Sequence, residues 1–450
     1  MNPLLNRDAD TAKIAAWIEA NIGKVVRVDL QPRWRPIWFV DAEQDGKILP
    51  LCVRGDRVDT IQTFPLDHEM LVQKVMHENG VAVPKVYGWL DDPRSYVMDR
   101  IPGVAGVDGL SDDLRRSVMR DYMHELARLH RVPLAACEAA GIMGGRTPAE
   151  ASRFGIERYH WKFEKLKRRP DPWVAFMLGW IERNPLPEHN RRALVAWDTG
   201  QFHQLDGRFM SLIDLELGHI GDPMMDLAAF RMRDTVLHFG DMNELYRWYE
   251  EESGEPVDMR AIQHHHLFFT MTNNLSFHVS LAEPTPDSDF MTNTQWINET
   301  NRFAAEALAE ILEIELPDVE VPEPVVSPWA IPFAHMARTL RNIEVEDEYT
   351  QYKLRGLFRL TRHLARADEI GRQIVEANLD DIGELTGARP ATWQEGDAAL
   401  EAFVLADGGV HDRELLLLFN RRHQRAQALN GPAGSAMAHH NTIQPFGGRM

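Results

Sequence analysis

The stretch from Leu194 to Ala228, LVAWDTGQFHQLDGRFMSLIDLELGHIGDPMMDLA, constrains the fold more than any other part of the chain. It reads as a short strand, a loop holding Asp198, a tight hairpin, and a second strand that ends in Asp-x-Glu at Asp214. His203 stands between the two aspartates. A hairpin fixes the separation of whatever sits at its two ends, so Asp198 and Asp214 are expected to act as a pair. So many acids and turn residues in so short a span point to a ligand. The bland alternative is a pair of solvated hairpin acids.

Composition narrows what the ligand is. A chain of 450 residues is too long for one ordinary core and predicts two to three domains. A net charge of −19 argues against a broad nucleic-acid or anionic-membrane surface, since both need surplus Lys and Arg. Only Cys52 and Cys137 occur, so no disulfide framework is implied and a reducing compartment fits. The opening MNPLLNRDADTAKIAAWIEANIG is acidic and amphipathic, unlike a signal peptide. No apolar run approaches the ~20 residues of a membrane span. A cytoplasmic protein is the expectation.

Around that hairpin the chain is α+β. Residues 25–60 are strand-like, with Asp45-Gly46 as a turn, and PLDHEMLVQKVMHENG is a helix stopped by Gly80. VAVPKVYGWL and SYVMDRIPG add extended pieces, which makes residues 1–100 a small antiparallel sheet with one packed helix. Residues 101–318 form a mainly helical lobe around the hairpin, helical over 110–185 and again from about 240 to 314. EIELPDVEVPEPVVSPWAIP, with five prolines in an acidic run, is the linker candidate. It opens a third part, 319–450, of amphipathic helices and a flexible tail containing His439 and His440.

The order of these parts, with IDLELGHIGDPMMDLA, resembles the aminoglycoside phosphotransferase family, whose fold is protein-kinase-like. The similarity spans roughly residues 10–315. Asp214, Glu216, Gly221, Asp222, Pro223, Asp226 and Leu227 fall in register with the family segment, and ELARLHRVP and LGWIERNPLP support it. The chain is similar in particular to the kinase-like domain fused to some acyl-CoA dehydrogenases. The resemblance implies a two-lobed fold with ATP or another nucleoside triphosphate, and Mg²⁺ or Mn²⁺, as cofactors. It puts Asp198 at the catalytic position, Asp214 at the metal, and Arg54 at the phosphate-binding cation held by Glu69. The hinge would run from Tyr96 to Arg100, with Met98 beside the adenine. A small-molecule hydroxyl would accept the phosphate.

Three departures stand out. The family's His-Gly-Asp reads Ala196-Trp197-Asp198. The asparagine five residues later is His203, and imidazole suits Mn²⁺ or Zn²⁺ better than Mg²⁺. His203 is therefore a metal ligand, a phosphate donor or an uninvolved loop residue. The phosphate-binding turn reads LQPRWRPIW, without glycine, so Arg33 and Arg35 would replace backbone donors or else form a solvated basic turn. Asp222 and Asp226 read as capping or loop-bracing acids. His264 to His266 read as structural, because consecutive helical residues diverge. Trp34, Trp38 and Trp197 are core residues or line an apolar substrate cleft. Three functions remain open: a kinase acting on an alcohol or phenol, a kinase-fold binding protein without transfer activity, and a subunit active only with a partner. Residues beyond 325 could carry that partner or a homodimer contact.

Overall fold

The structure, a computed structural model, describes residues 7–31, 35–57, 62–186, 191–286, 288–430 and 440–446. The chain divides into two compact units that interleave along the sequence. One comprises 1–158, 188–265 and 444–450, and the other 159–187 and 266–443.

The first unit opens with α1 (Arg7–Asn21) and a five-stranded antiparallel sheet of order β1-β2-β3-β5-β4. Its strands are β1 (Lys24–Leu30), β2 (Ile37–Gln44), β3 (Lys47–Gly55), β4 (Val86–Asp91) and β5 (Arg94–Asp99). Asp45 (φ 52°) and Gly46 (φ 73°) both take left-handed conformations, as a two-residue hairpin turn requires. That turn sets the β2–β3 register from Gln44 opposite Lys47 to Ile37 opposite Arg54. Leu51 and Val53 pack with Trp38, Val40, Ile14 and Ile18 on the α1 face. Side chains alternate along a strand, so Arg54 projects from the other face, toward α2 (Leu66–Glu78). Gly80, at φ 81°, follows the end of α2.

The rest of this unit is mainly helical. It contains β6 (Val104–Ala105), α3 (Asp112–Leu129), α4 (Leu134–Ala139) and the start of α5 (Pro148–Leu166). Ser111 caps α3 by accepting from the Leu114 amide. After α6 (Pro172–Arg183), which belongs to the second unit, come β7 (Ala193–Val195), β8 (Phe202–Leu205), β9 (Arg208–Leu212) and β10 (His219–Gly221). β7 pairs with β10, and β6, β8 and β9 form a second small sheet. The two crossings between these pairs are the loops that carry Asp198 and Asp214. Helical structure returns earlier than the expected residue 240, because α7 (Met224–Leu237) begins directly after Gly-Asp-Pro. Asp222, expected as a capping or bracing acid, accepts from the Met224 amide at the start of this helix. α8 (Met242–Ser253) and α9 (Met259–Thr270) follow.

The second unit holds α10 (Thr272–Ala282), α11 (Phe290–Leu312), α12 (Ala330–Asn342) and α13 (Glu348–Arg366). A π-turn (Ala367–Gly371) joins α13 to α14 (Arg372–Thr386), and α15 (Trp393–Asp407) and α16 (Asp412–Ala428) complete the unit. The proline-rich stretch is fixed to this unit. The Pro317 carbonyl accepts from Asn420 and Gln424, and the Val319 amide donates to Gln424. Nor are the described tail residues loose. His440 is ion-paired with Glu299 and Glu306 in the second unit. In the first unit the Gln444 carbonyl accepts from Arg231, whose guanidinium lies 3.8 Å from the Phe446 ring centroid. His440, Gln444 and Phe446 thus have charged or aromatic partners. His439 lies outside the described residues. Among the described residues no helix is long and apolar enough to cross a membrane.

Candidate active site

Arg54, at the end of β3, is buried and meets three carboxylates. Its Nε lies 2.6 Å from Glu69 Oε1, an ion-pair contact without hydrogen-bond geometry, and its Nη2 donates to Asp214 Oδ1. Glu216 Oε2 is 3.8 Å away. Arg35 enters the same cluster. It donates to Glu69 Oε2 at 3.1 Å and to Glu216 Oε2 at 2.6 Å. It is buried at 2% exposure, which corrects the reading of a solvated turn: two carboxylates compensate its desolvation. Arg33 and Trp34 lie outside the described residues. The Tyr96 hydroxyl on β5 shares its one proton between Glu69 Oε1 and Gln73 Oε1, each at 3.2 Å, and Gln73 in turn approaches the Met98 sulfur at 3.3 Å. Glu69 and Gln73 are one helical turn apart, so both face the sheet.

Charge here is set by burial against arginine. Burial pushes the Asp214 carboxyl up, but Arg54 and Arg35 outweigh it and hold the group at about 2. Glu69 goes the other way, because its burial outweighs the same two arginines. Burial disfavours charge on Arg54 as well, yet Glu69 and Asp214 hold its proton more tightly than usual.

The loop before β8 is built differently. Trp197 takes a left-handed φ of 58°, a costly conformation for a bulky residue. Asp226, fully buried on α7, offsets that strain by accepting from the Trp197 amide at 2.6 Å and the Ala196 amide at 3.1 Å. His130 Nε2 lies 3.0 Å from the same carboxylate, and its Nδ1 is 2.7 Å from the Tyr249 hydroxyl. These groups brace the loop from which the family histidine is missing. Asp198 then points its Oδ1 at Arg233, which donates through Nε at 2.8 Å and through Nη2, while Gln201 donates to Oδ2 at 2.8 Å. Gly200 (φ 86°) makes room for this, since a Cβ there would lie 2.9 Å from the Phe239 ring and 3.2 Å from Arg233 Cδ. Burial pushes the Asp198 carboxyl up, Arg233 opposes it, and Asp214 and Glu216 add to the rise, which ends at about 6.

Other sequence expectations separate at this level. His203 Nδ1 lies 3.2 Å from the Ile101 carbonyl, so its hydrogen bond is with backbone. Trp38 and Trp197 are core residues rather than cleft aromatics. Trp38 donates to Thr11 Oγ1, and Trp197 packs edge-on against His219. His264 and His265 are buried, the first against the Arg260 carbonyl and the second 3.4 Å from Asp222. Among the described residues no cluster of three or more His, Cys, Asp or Glu could hold a metal by itself. Arg233, Gln201 and the charge role of Glu216 were missed. An arginine in the middle of RMRDTVL carries no spacing signal that would find it, whereas Glu216 already stood in the motif.

Comparison with known proteins adds three findings. A sequence model of the phosphotransferase enzyme family matches residues 38–272. Acyl-CoA dehydrogenase family member 11 of Homo sapiens is 26% identical over 182 residues, which is 37% of this chain and 23% of that protein. Acyl-CoA dehydrogenase family member 10 of Mus musculus is 24% identical over 223 residues, 42% of this chain and 20% of that protein. The chain thus matches less than a quarter of the length of these relatives. A solved structure from Ralstonia eutropha JMP134, described as an aminoglycoside phosphotransferase, aligns with a TM-score of 0.50 at 17% identity. It covers 68% of this chain and 99% of that one, a likeness of fold.

Proposed function

This chain belongs to the phosphotransferase enzyme family, with a protein-kinase-like fold, and we propose that it transfers the terminal phosphoryl group of a nucleoside triphosphate to a hydroxyl of a small molecule. The observation that carries the reading is the pairing of two unlike aspartates on the two loops that flank the β8–β9 hairpin. Asp214 is ionised at any physiological pH, and Asp198 is poised near pH 6. In the step proposed, the acceptor oxygen bonds to the γ-phosphorus, the bond to the β,γ-bridging oxygen breaks, and Asp198 receives or orients the hydroxyl proton. Arg54, held by Glu69, would exchange its Asp214 contact for phosphate oxygen.

A divalent ion would neutralise phosphate charge here. Asp214 suits a hard cation, being a partly exposed, permanently anionic oxygen donor. Mg²⁺ usually takes only one or two protein carboxylates and completes its shell with phosphate and water, so the small donor set fits. Glu216, two residues on, is the nearest candidate for a second carboxylate. His203, bonded to the Ile101 carbonyl, is the weaker candidate ligand.

A second reading, a kinase-fold binding protein without transfer activity, draws support from Arg35. Its guanidinium fills the site from the turn where a glycine loop would cradle phosphate, and it is already committed to Glu69 and Glu216. Calorimetric titration of ATP and GTP with Mg²⁺, with Mn²⁺ and without metal tests the primary reading. Metal-dependent binding supports it and leads to a screen of hydroxylated acceptors. Absence of binding under every condition overturns it.

A further inference from the structure

A cavity of about 340 Å³ lies within the second unit, and no residue of the candidate active site lines it. One wall comes from α16, where Phe419, Arg422 and His423 stand at i, i+3 and i+4 and so share a face. The Trp173 ring of α6 completes an aromatic corner, with ring centroids 4.5 Å from His423 and 5.1 Å from Phe419. Ligand pockets span roughly 300–1,000 Å³ and combine apolar walls with a few placed polar groups. This cavity has that character at the small end of the range.

Nearly every buried polar atom in a folded protein has a hydrogen-bond partner. Two buried atoms of the α16 wall have none among the described residues: His423 Nε2, on a side chain only 7% exposed, and Arg422 Nη1. The other arm of that guanidinium is committed, since Nη2 donates to Asp397 Oδ1 at 2.5 Å. Burial drives His423 down to about 3, so its imidazole is uncharged at neutral pH. Two asparagines of the lining add direction. Trp173 Nε1 can only donate, and its bond of 3.0 Å to Asn301 Oδ1 fixes which way that amide faces. Asn274 Nδ2 donates to the same oxygen at 3.3 Å, which leaves the Asn301 amino group as a donor and the Asn274 oxygen as an acceptor. Formal charges in the lining cancel, Arg169 and Arg422 against Asp171 and Asp397. A phosphate or an ammonium would therefore meet as much repulsion as attraction. An uncharged group with both a carbonyl and an N–H matches what is left unpaired.

We propose that this cavity binds an uncharged planar ring bearing an amide or lactam group, with Arg422 donating to its carbonyl, Asn274 accepting its N–H, and the ring beside Trp173 and His423. The proposal is independent of the chemistry at Asp198 and Asp214. It is tested on the full chain by calorimetry and ligand-detected NMR with benzamide and uracil as probes. Benzoate, which adds a charge, and cyclohexanecarboxamide, which is not planar, are the comparisons. At least one probe should bind with a Kd on the order of 1 mM, as expected for so few atoms, and both comparisons should bind about tenfold more weakly. His423→Phe keeps a ring and removes the unpaired nitrogen, and it should weaken the bound probe about tenfold. Arg422→Lys keeps the charge beside Asp397 but loses the second arm of the fork, with a similar loss expected. That position is partly exposed, so Arg422→Lys decides the matter if His423→Phe does not fold. Absence of binding by both probes leaves the cavity to water and overturns the proposal. Equal binding of benzoate or cyclohexanecarboxamide overturns it too, as does a probe whose affinity is unchanged in either folded variant.

Discussion

Asp198 and Asp214 are the same residue type, on neighbouring loops of one unit, with opposite electrostatic fates. Both are largely withdrawn from water, which favours the neutral acid. Asp214 faces Arg54 and Arg35, with Arg233 adding a smaller pull, and stays at about 2. Asp198 has one, Arg233, and the anionic Asp214 and Glu216 stand near it, so it rises to about 6. The difference follows arginine count against carboxylate count, and Asp198 is also the less exposed of the two, at 13% of its side chain against 28% for Asp214. It separates a carboxylate suited to a cation from one suited to a proton, a division that phosphoryl transfer needs.

The division depends first on the loop that presents Asp198, so the largest effect should come from Asp226→Ala. That change strands the amides of Ala196 and Trp197, removes one of the two partners of His130, and releases a strained φ at Trp197. Losing one side of such a buried network costs about 3–5 kcal/mol, to be read as a lower denaturation midpoint in urea. A stability loss under about 1 kcal/mol would show that the loop holds its own shape.

Substitution of the two aspartates should then split binding from chemistry. Asp214→Ala is expected to abolish metal-dependent nucleotide binding with the fold retained. Asp198→Asn should keep nucleotide binding and lose transfer by about a hundredfold or more, read as kcat at saturating nucleotide. If both variants lose binding equally, the two loops act as one site and the division fails.

How far this was legible in the sequence varies from residue to residue. The hairpin turn at Asp45-Gly46, the stop at Gly80 and the two aspartate loops follow from local rules: turn chemistry, strand alternation and the spacing that gave the family resemblance. The family itself is borne out by the match over residues 38–272. Arg35 was left between a phosphate contact and a solvated turn, because only the fold brings Glu69 and Glu216, 34 and 181 positions away, to its guanidinium. Arg233 was invisible for the same reason, since its partner lies 35 positions away on another element. The partners of His440 were equally invisible, because the acids that hold it, Glu299 and Glu306, lie far off on α11. Local pattern finds elements and loops, and long-range charge pairing escapes it.

The smallest and most discriminating effect concerns pH. If Asp198 must be ionised to take the acceptor proton, transfer should fall tenfold per unit as pH drops below about 6, and level off above it. Unfolding can be told apart by sign. Asp214, held low, stabilises the fold above its ordinary value, and that stability is lost only as pH falls toward 2. Asp198, held high, does the reverse: its stabilising share is present in acid and lost as pH rises to about 6. Acid loss of activity near pH 5 should therefore occur with the protein folded. Arg233 is the cation that opposes the rise at Asp198, so Arg233→Gln should move the acid limb upward, by roughly one unit or less after solvent screening. Arg233→Lys should move it less than Arg233→Gln, because the charge persists although the paired hydrogen bonds do not. A merely structural role for Arg233 would lower the rate at every pH and leave the limb where it was.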